Sequence, residues 1–256
     1  MTRNEHEGPG PLTLAFDIGG SHLKAGILSP KGKLLKGPNQ VATPHATVPQ
    51  EAVEALVGLA EGLGAHDRIT VGFPGVVRED YVITAPNLGT ELWQGFKLAA
   101  VLHKQLKKPV RMLNDASVQG LGAVTGRGLE LVITLGTGFG FALFEHGLLA
   151  PHLELGRIPI KTDVLYDHYV GQKGLEAVGP KEWNERVREV IGILATLANY
   201  DMLYIGGGNA RLIEKPLPDT VRTVSNDDGI TGGVKVWDKA MDASFSGVSS
   251  AFVTRA

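Results

Sequence analysis

The residues best suited to chemistry in this sequence are a carboxylate and a glycine-rich turn, each placed directly after an apolar segment. Asp115 follows the segment PVRML and Asn114, and the turn Gly136–Gly140 (GTGFG) follows the segment LELVITL. In open α/β sheets the reacting groups lie at the carboxyl ends of strands. A turn with almost no side chains lets backbone N–H groups approach an anion closely. Together these features predict a phosphoryl-transfer site.

Two further glycine-rich turns also follow apolar segments. The turn DIGGS (17–21) comes after LTLAF, and the triple glycine 206–208 comes after DMLYI. Aligning residues 14–26 with residues 131–143 repeats a pattern of apolar strand, glycine turn and apolar strand. This weak internal repeat is typical of a two-lobed molecule in which equivalent hairpins face a common ligand.

The elements that must position these residues alternate between strands and helices. Apolar residues at helical spacing predict helices at 50–63 and at 180–200, and Pro180 opens the second of these. The segment 82–106 carries a loop into a further helix, and the segment 161–180 follows no recognisable pattern. Strands are predicted at 12–16, 67–77, 109–113 and 201–205 and in the 131–143 hairpin. We expect a disordered tail at 1–11, an N-terminal α/β lobe at 12–115 with a largely parallel sheet, and a C-terminal α/β lobe at 116–256.

The composition excludes several classes of function. The 256 residues carry a net charge of −2 and contain no cysteine. Disulfides, cysteine nucleophiles and cysteine-ligated zinc are therefore excluded, and the composition fits the reducing cytoplasm, where we expect the protein. No basic run suggests nucleic acid as a partner. The polar start lacks the apolar segment of a secretory signal, and no apolar stretch is long enough to span a membrane, so we expect no membrane partner.

Seven short motifs occur in the order and approximate spacing of the ROK family of bacterial sugar kinases, which this sequence resembles over most of its length. They are DIGGS (17–21), VGFPGVV (71–77), NLGTELW (87–93), LNDA (113–116), GTGFG (136–140), HLELG (152–156) and IGGG (205–208). The compact length and the missing cysteine zinc loop are most similar to the polyphosphate glucokinase branch. The resemblance implies two ribonuclease-H-like lobes of the hexokinase and actin type, which close over a sugar and a phosphoryl donor.

The resemblance also implies a role for each matched polar residue. Asp115 would be the general base that takes the proton from the 6-hydroxyl of a hexose, and Asn87, Asn114 and Glu154 would hydrogen-bond the sugar. Asp17 would lie near a magnesium ion, through water, because Mg²⁺ keeps several waters when phosphates supply its other ligands. The residues implied to contact the donor phosphates are Gly19, Gly20, Ser21, Gly136, Thr137 and Gly138. Lys24 is assigned to phosphate binding separately, as part of a basic track for a long polyanion. The residues at the family's nucleoside position are Gly206, Gly207 and Gly208.

Two departures from the family pattern affect these expectations. Family members usually carry a histidine after the Glu-x-Gly motif, where this chain has Arg157, which is permanently charged and accepts no hydrogen bond. We assign Arg157 to the sugar site, with a side chain that points away from this site as the alternative, and leave the identity of the hexose open. The absence of cysteine removes any reason to expect zinc, and no residue is assigned as a direct metal ligand. Polyphosphate, ATP or both remain open as donors, and the resemblance implies a homodimer.

Simpler interpretations stand beside these roles. Asp115 could cap a helix, Asn87 could serve its own turn, and Trp93 is better explained by packing than by ligand stacking. The main alternative function is a sugar-binding protein of the same family that is catalytically weak or inactive, because Arg157 replaces the usual histidine. A dinucleotide-binding oxidoreductase is disfavoured, since its Gly-x-Gly-x-x-Gly turn must open a helix, whereas the turns at 19–21 and 136–140 run into apolar strands.

Overall fold

Two five-stranded sheets form the framework of the chain in the computed structural model, which describes residues 10–44, 48–78, 80–224 and 228–245. The strands of the first sheet are β1 (Thr13–Ile18), β2 (His22–Leu28), β3 (Leu34–Ala42), β4 (Arg68–Phe73) and β5 (Val110–Asn114). The strands of the second sheet are β6 (Leu129–Leu135), β7 (Phe139–Glu145), β8 (Leu148–Leu149), β9 (Met202–Gly206) and β10 (Val221–Thr223). Two short antiparallel pairs join Val77–Arg78 to Tyr81–Val82 and Pro159–Lys161 to Val164–Leu165.

The helices pack on both sheets and between them. They are α1 (Pro49–Leu63), α2 (Thr90–Trp93), α3 (Leu98–Leu106), α4 (Asp115–Ala123), α5 (Tyr166–Val170), α6 (Gln172–Ala198) and α7 (Asp228–Thr231). Short 3₁₀ helices occur at Leu155–Arg157, Ala210–Leu212, Gly232–Trp237 and Lys239–Ser244. In the part of the chain that the structure describes, no helix has both the length and the apolar character needed to cross a membrane.

The two sheets have the same connectivity. Their orders are β3-β2-β1-β4-β5 and β8-β7-β6-β9-β10. In the first sheet β1 pairs antiparallel with β2 and parallel with β4, and in the second β6 pairs antiparallel with β7 and parallel with β9. The internal repeat predicted from the glycine turns is therefore confirmed, since both turns join the first two strands of equivalent sheets.

The alternation of side chains along β1 sends its residues to two different cores. Leu14, Phe16 and Ile18 pack with α1 and α3, whereas Ala15 faces α7 and the 3₁₀ helix that follows it. The predicted helix at 50–63 is confirmed as α1, which buries one apolar face that includes Leu56. Asp17 lies on the same side of β1 as Ala15, so it points toward the centre of the molecule.

The helix α4 lies between the two sheets. Its residues Val118 and Leu121 pack with Val132 and Phe144 of the second sheet, while its first residue, Asp115, lies against Gly72 of β4 in the first sheet. The other face of the second sheet is covered by α6. Because α4 starts where β5 ends, the fold places Asp115 at the carboxyl edge of the first sheet and at the junction with the second.

The long helix α6 has two parts. The helix predicted from Pro180 is confirmed as its second part, whereas the first part, which begins at Gln172 inside the segment without a recognisable pattern, was not predicted. Gly179 has a φ of 75° and ψ of 170°, so it breaks the helix into two parts, and Pro180 opens the second part. The sequence signal at Pro180 was therefore real, but it marked an internal break in a longer element.

The end of the described chain returns to the first sheet. The hydroxyl of Thr70 on β4 donates to the carbonyl of Gly233, and the indole N–H of Trp237 donates to the same hydroxyl. The division into lobes at 12–115 and 116–256 stays a proposal. In that division, part of the second segment would cover part of the first sheet. Residues 1–9 of the predicted tail and residues 246–256 lie outside the described residues.

Candidate active site

The glycine turns of both sheets enclose a cavity of about 450 Å³ at the centre of the molecule. The predicted site residues that line it are Asp17, Gly19, Gly20, Ser21, Lys24, Asn87, Asn114, Asp115, Gly136, Thr137, Gly138, Glu154, Gly207 and Gly208. Gly206 and Arg157 are not among its lining residues. The fold thus brings together positions that are far apart in the sequence and come from both halves of the chain.

The turns of the two sheets approach each other closely at Gly20. A Cβ atom at Gly20 would lie 3.3 Å from the Cβ of Asn87 and 3.3 Å from Cγ2 of Thr137. A Cβ at Gly138 would lie 3.5 Å from the amide nitrogen of Asn87 and 2.8 Å from a carboxylate oxygen of Asp167. Larger residues at either glycine would force the two turns and the Asn87 loop apart.

Some backbone N–H groups of these turns are already used, and others are available. The N–H of Gly19 donates to the carbonyl of His22, and the N–H of Gly136 donates to the carbonyl of Gly138. Within the described residues, no hydrogen bond takes the N–H groups of Gly20, Ser21, Thr137 and Gly138. Successive N–H groups without partners in a glycine turn form a concave site that suits an anion.

Asn114 caps the helix α4. Its side-chain oxygen accepts the N–H of Ser117 at 3.3 Å, and its amide nitrogen donates to the carbonyls of Phe73 and Gly75 at 3.4 and 3.2 Å. The capping role considered for Asp115 therefore belongs to its neighbour. Asn114 holds the end of β5 against the loop after β4, and a hydrogen bond from its amide to a sugar would compete with these bonds.

Asp115 occupies an environment that disfavours its charge. Burial raises the pKa of this carboxyl to about 7, and the nearby negative charges of Asp17 and Glu154 act in the same direction. One of its oxygens accepts the N–H of Ala116 at 2.8 Å, which partly opposes the effect. A carboxylate with this pKa in a cavity is a candidate general base.

Asp17 faces Lys24 across the β1–β2 hairpin. The two residues are register partners, and the Nζ atom of Lys24 lies 3.7 Å from a carboxylate oxygen of Asp17. Burial raises the pKa of Asp17, while Lys24 lowers it. Among the described residues there is no group of three or more histidine, cysteine and acidic side chains that could hold a metal ion by itself.

Arg157 reaches the cavity only through a partner. Its guanidinium is half exposed and lies 3.7 Å from Oδ2 of Asp167, which does line the cavity. Glu154, at the start of the same 3₁₀ turn, lies on the cavity and is 3.3 Å from Nε2 of His152. Arg157 therefore lies behind Asp167 and does not line the cavity itself, and its assignment to the sugar site stays a prediction.

Sequence reasoning missed Asp167. Its Oδ1 accepts the N–H of Phe139 at 2.7 Å, so it holds the end of the second glycine turn, and burial raises its pKa. A Cβ at Gly156 would lie 2.5 Å from this oxygen, which explains the glycine of the HLELG motif. Asp167 lies in the segment 161–180, where no periodicity was available to find it.

Three carboxamide side chains on the cavity were also missed: Gln119, Gln172 and Asn209. The amide of Asn209 donates to the side-chain oxygen of Gln172 at 3.0 Å. The backbone N–H of Gln172 donates to Gly136 and that of Asn209 donates to Leu135, so this pair ties the third glycine turn to the second. For Gln119 a signal existed, because a residue four positions after Asp115 lies on the same helical face.

The third glycine turn packs against the second. Gly207 has a φ of 86°, and a Cβ there would lie 2.3 Å from the carbonyl oxygen of Leu135. Gly206, which does not line the cavity, lies under the amide of Gln119. Gly206 therefore provides space for a neighbouring side chain, whereas Gly207 and Gly208 border the cavity itself.

Trp93 packs in the core of the first half. Its side chain is fully buried, and its ring centroid lies 5.2 Å from that of Phe73 and 5.7 Å from that of Phe96. The packing interpretation of this tryptophan is confirmed.

Comparison with known proteins agrees with this arrangement. Residues 13–151 match the family model described as ROK family. A polyphosphate glucokinase of Mycobacterium tuberculosis is 29% identical in an alignment that covers 88% of this chain and 92% of the relative. The solved structure of an inorganic polyphosphate/ATP-glucomannokinase from Arthrobacter sp. strain KM matches with a TM-score of 0.80 and 28% identity, over 89% of this chain and 98% of that chain.

A ROK family glucokinase from Streptomyces griseus, solved in complex with glucose and AMPPNP, has the same fold. Its TM-score is 0.71 at 20% identity, and the match covers 88% of this chain and 98% of that chain. The predicted α/β fold of the hexokinase and actin type is therefore confirmed. Since the family model matches more than half of the sequence, the chain belongs to the ROK family.

Proposed function

We propose that this protein transfers a phosphoryl group from inorganic polyphosphate or ATP to the 6-hydroxyl of glucose or a related hexose, with Asp115 as the general base. It is a phosphotransferase with an alcohol acceptor, as are the sugar kinases to which it is similar. The observation that carries the finer proposal is the pKa of about 7 at Asp115, in a cavity bordered by glycine turns from both sheets.

Asp115 would accept the hydroxyl proton as the sugar oxygen attacks the phosphorus atom. At neutral pH about half of a group with this pKa is ionised, so the base is available without being too weak to take a proton. Phosphoryl transfer otherwise depends on positioning and on stabilising charge. The capping bonds of Asn114 support this role, because they fix the start of α4 and thereby the position of Asp115.

The donor phosphates would lie against the two hairpin turns. The N–H groups of Gly20, Ser21, Thr137 and Gly138 support this placement, since all four lack partners within the described ranges and come from equivalent turns of the two sheets. Lys24 would add a positive charge near the first turn. Gly207 and Gly208 would border the far end of the donor.

The donor set of the cavity fits a magnesium ion bound together with the donor. The charge of Asp17 raises the pKa of Asp115, and a cation between phosphates and one carboxylate would relieve this repulsion. Asp17 would hold the ion, through water. Bound there, Mg²⁺ would neutralise charge on the phosphoryl group being transferred.

The hexose would lie between Asn87, Asp115 and Glu154. Arg157 would act on this site from behind Asp167, so its effect on hexose choice would pass through that carboxylate. A homodimer remains the predicted assembly, and sedimentation velocity of the purified protein tests it.

The test of this function is turnover. The purified protein is incubated with Mg²⁺ and a panel of hexoses, with ATP in one series and polyphosphate in another, and hexose 6-phosphate is measured. Product with glucose supports the proposal, and the ratio of the two series identifies the donor. Product with a different hexose alone would change the substrate and implicate Arg157. Binding of sugar without product from any pair would overturn the proposal in favour of a sugar-binding protein without turnover.

A further inference from the structure

One side-chain amide on the cavity wall has no hydrogen-bond partner among the residues that the structure describes. Only 6% of the surface of Gln119 is exposed, yet no hydrogen bond joins its side chain to any residue in the described ranges. The other two carboxamides at this end, Gln172 and Asn209, are bonded to each other. Among the described residues, the fully buried side-chain atoms without a partner belong to His66 and His152, so the polar atoms of the Gln119 amide are open to the cavity. An amide that the protein leaves without a partner at a cavity wall is available to a ligand.

The position of Gln119 relates it to the proposed general base. It lies four residues after Asp115 on α4, so both side chains project from one helical face, about 6 Å apart along the axis. The direction from Asp115 to Gln119 runs toward the third glycine turn. A Cβ atom at Gly206 would lie 2.6 to 2.9 Å from the three terminal atoms of the Gln119 amide, so this amide rests flat on the glycine backbone.

The surroundings of this amide favour a phosphate oxygen as its missing partner. Gly136 and Gly208 border the same region, since a Cβ at Gly136 would lie 4.0 Å from the backbone nitrogen of Gly208. The positively charged side chain among the lining residues is Lys24, which is paired with Asp17 on the first hairpin. At this end of the cavity, the group that can donate a hydrogen bond to an anion is therefore the neutral amide of Gln119.

We propose that Gln119 is a donor-binding residue, whose side-chain N–H donates a hydrogen bond to a phosphate oxygen of the phosphoryl donor beyond the group that is transferred. The inference rests on the proposed function, in which Asp115 lies at the sugar hydroxyl. It assigns Gln119 to the affinity for the donor and gives it no part in binding the sugar.

The test compares Gln119→Met, which keeps the length of the side chain without its hydrogen bonds, and Gln119→Glu, which keeps its shape and adds a negative charge. Gln105→Ala, on the exposed face of α3, is the control. For each protein, KM is measured for tripolyphosphate and for ATP at saturating glucose, and for glucose at saturating donor. We expect Gln119→Met to raise the donor KM about tenfold or more, as loss of a hydrogen bond to a charged group does. Gln119→Glu should raise it further, and the glucose KM should change less than twofold.

A donor KM within twofold of wild type in both variants would overturn the proposal, and so would equal increases in the donor and glucose KM values. Calorimetric titration with tripolyphosphate and with AMPPNP, each with Mg²⁺, provides a readout independent of turnover. If the wild-type protein turns over no substrate, the proposed function fails, while weaker binding of these probes by Gln119→Met would still support the assignment. Unchanged binding in that titration would overturn it.

Discussion

At the scale of single residues, the central feature is a carboxylate held where its charge is disfavoured. Burial and the charge of Asp17 raise the pKa of Asp115 to about 7, which suits proton transfer at neutral pH. The neighbouring Asn114 supplies the helix cap. In the proposed mechanism, the adjacent residues at this strand end would have different tasks: Asn114 caps the helix, and Asp115 would be the base.

Replacing the carboxylate should remove the activity. We expect Asp115→Asn to lower kcat/KM for the hexose by about 100- to 10,000-fold, because the amide accepts no proton from the hydroxyl. For the wild type, kcat/KM should rise with pH through about 7 and then level off, since only the ionised carboxylate is a base. Initial rates of hexose 6-phosphate formation, measured from about pH 5.5 to about pH 8.5 so that the range spans the pKa, check both expectations. Asp219→Asn, at an exposed position, is the control; an Asp115→Asn rate above about a tenth of wild type would rule out Asp115 as the base.

The same substitution should make the fold more stable. The pKa of Asp115 is raised in the folded state above its ordinary value of about 3.9. The folded state therefore loses stability relative to the unfolded state as pH rises from about 4 to about 7, and the penalty is complete above pH 7. We expect Asp115→Asn to have a higher Tm than wild type at pH 8, with a smaller difference near pH 4. Calorimetric scans at the two pH values measure these Tm values. A lower Tm for the variant than for the wild type at pH 8 would contradict the expected stabilisation.

At the scale of elements, the packing of α4 against the second sheet leaves no room for an additional methyl group. A Cβ at Gly120 would lie 2.5 Å from the ring of Phe144, which is fully buried. By contrast, a Cβ at Gly58, inside α1, would meet nothing within 4 Å. The two glycines occupy similar positions within helices, but only the first is required by a close approach.

Alanine at these two glycines should therefore have opposite effects. Alanine favours a helix over glycine by about 1 kcal/mol, whereas overpacking a core costs about 1–3 kcal/mol. We expect Gly120→Ala to lower the free energy of unfolding and Gly58→Ala to raise it by about 0.5–1 kcal/mol. Urea denaturation of both variants gives the two changes. If both substitutions stabilised the protein equally, a methyl group at position 120 would fit beside Phe144, and the expected overpacking would be wrong.

The sequence predicted the elements whose patterns are local. The apolar faces of β1 and α1, and the strands that precede each glycine turn, follow from periods of two and 3.6 residues. Pro180 correctly marked the start of the second part of α6, but the first part, before Gly179, was missed because so short a segment shows no clear apolar period. Asp167 was missed for a related reason, since α5 is too short to have a period.

At the scale of the whole molecule, the chain exchanges elements between its halves. The helix α4 leaves the first sheet and packs on the second, while α7 and the 3₁₀ helix after it leave the second sheet and pack on the first. On the first sheet, Ala15 and Leu28 are covered by Ile230 and Val234. Apolar periodicity shows which face of a strand is buried, but the partner that buries it comes from anywhere in the chain, so this exchange could not be predicted.

The exchange should prevent the first half from folding by itself. A fragment of residues 12–115 would expose the face of β1 and β4 that α7 and the following 3₁₀ helix cover. We expect this fragment to lack a cooperative thermal transition by circular dichroism under conditions in which the full chain has one. A sigmoidal transition of the fragment would show instead that residues 12–115 are an independent lobe.

The sheets repeat, but the cavity lining does not. Gly20 and Ser21 on one hairpin correspond to Thr137 and Gly138 on the other, so the anion cradle is made of two matching halves. A linear polymer of phosphate is chemically the same from either end, and a cradle of this kind by itself has no preferred sense. The helices provide one, because Asp115 and Gln119 of α4, Asp167 of α5 and Gln172 of α6 border the cavity, whereas no lining residue comes from α1 or α7. In the proposed complex, the direction of the donor would therefore be set by these helices, which break the pseudo-symmetry of the two hairpins.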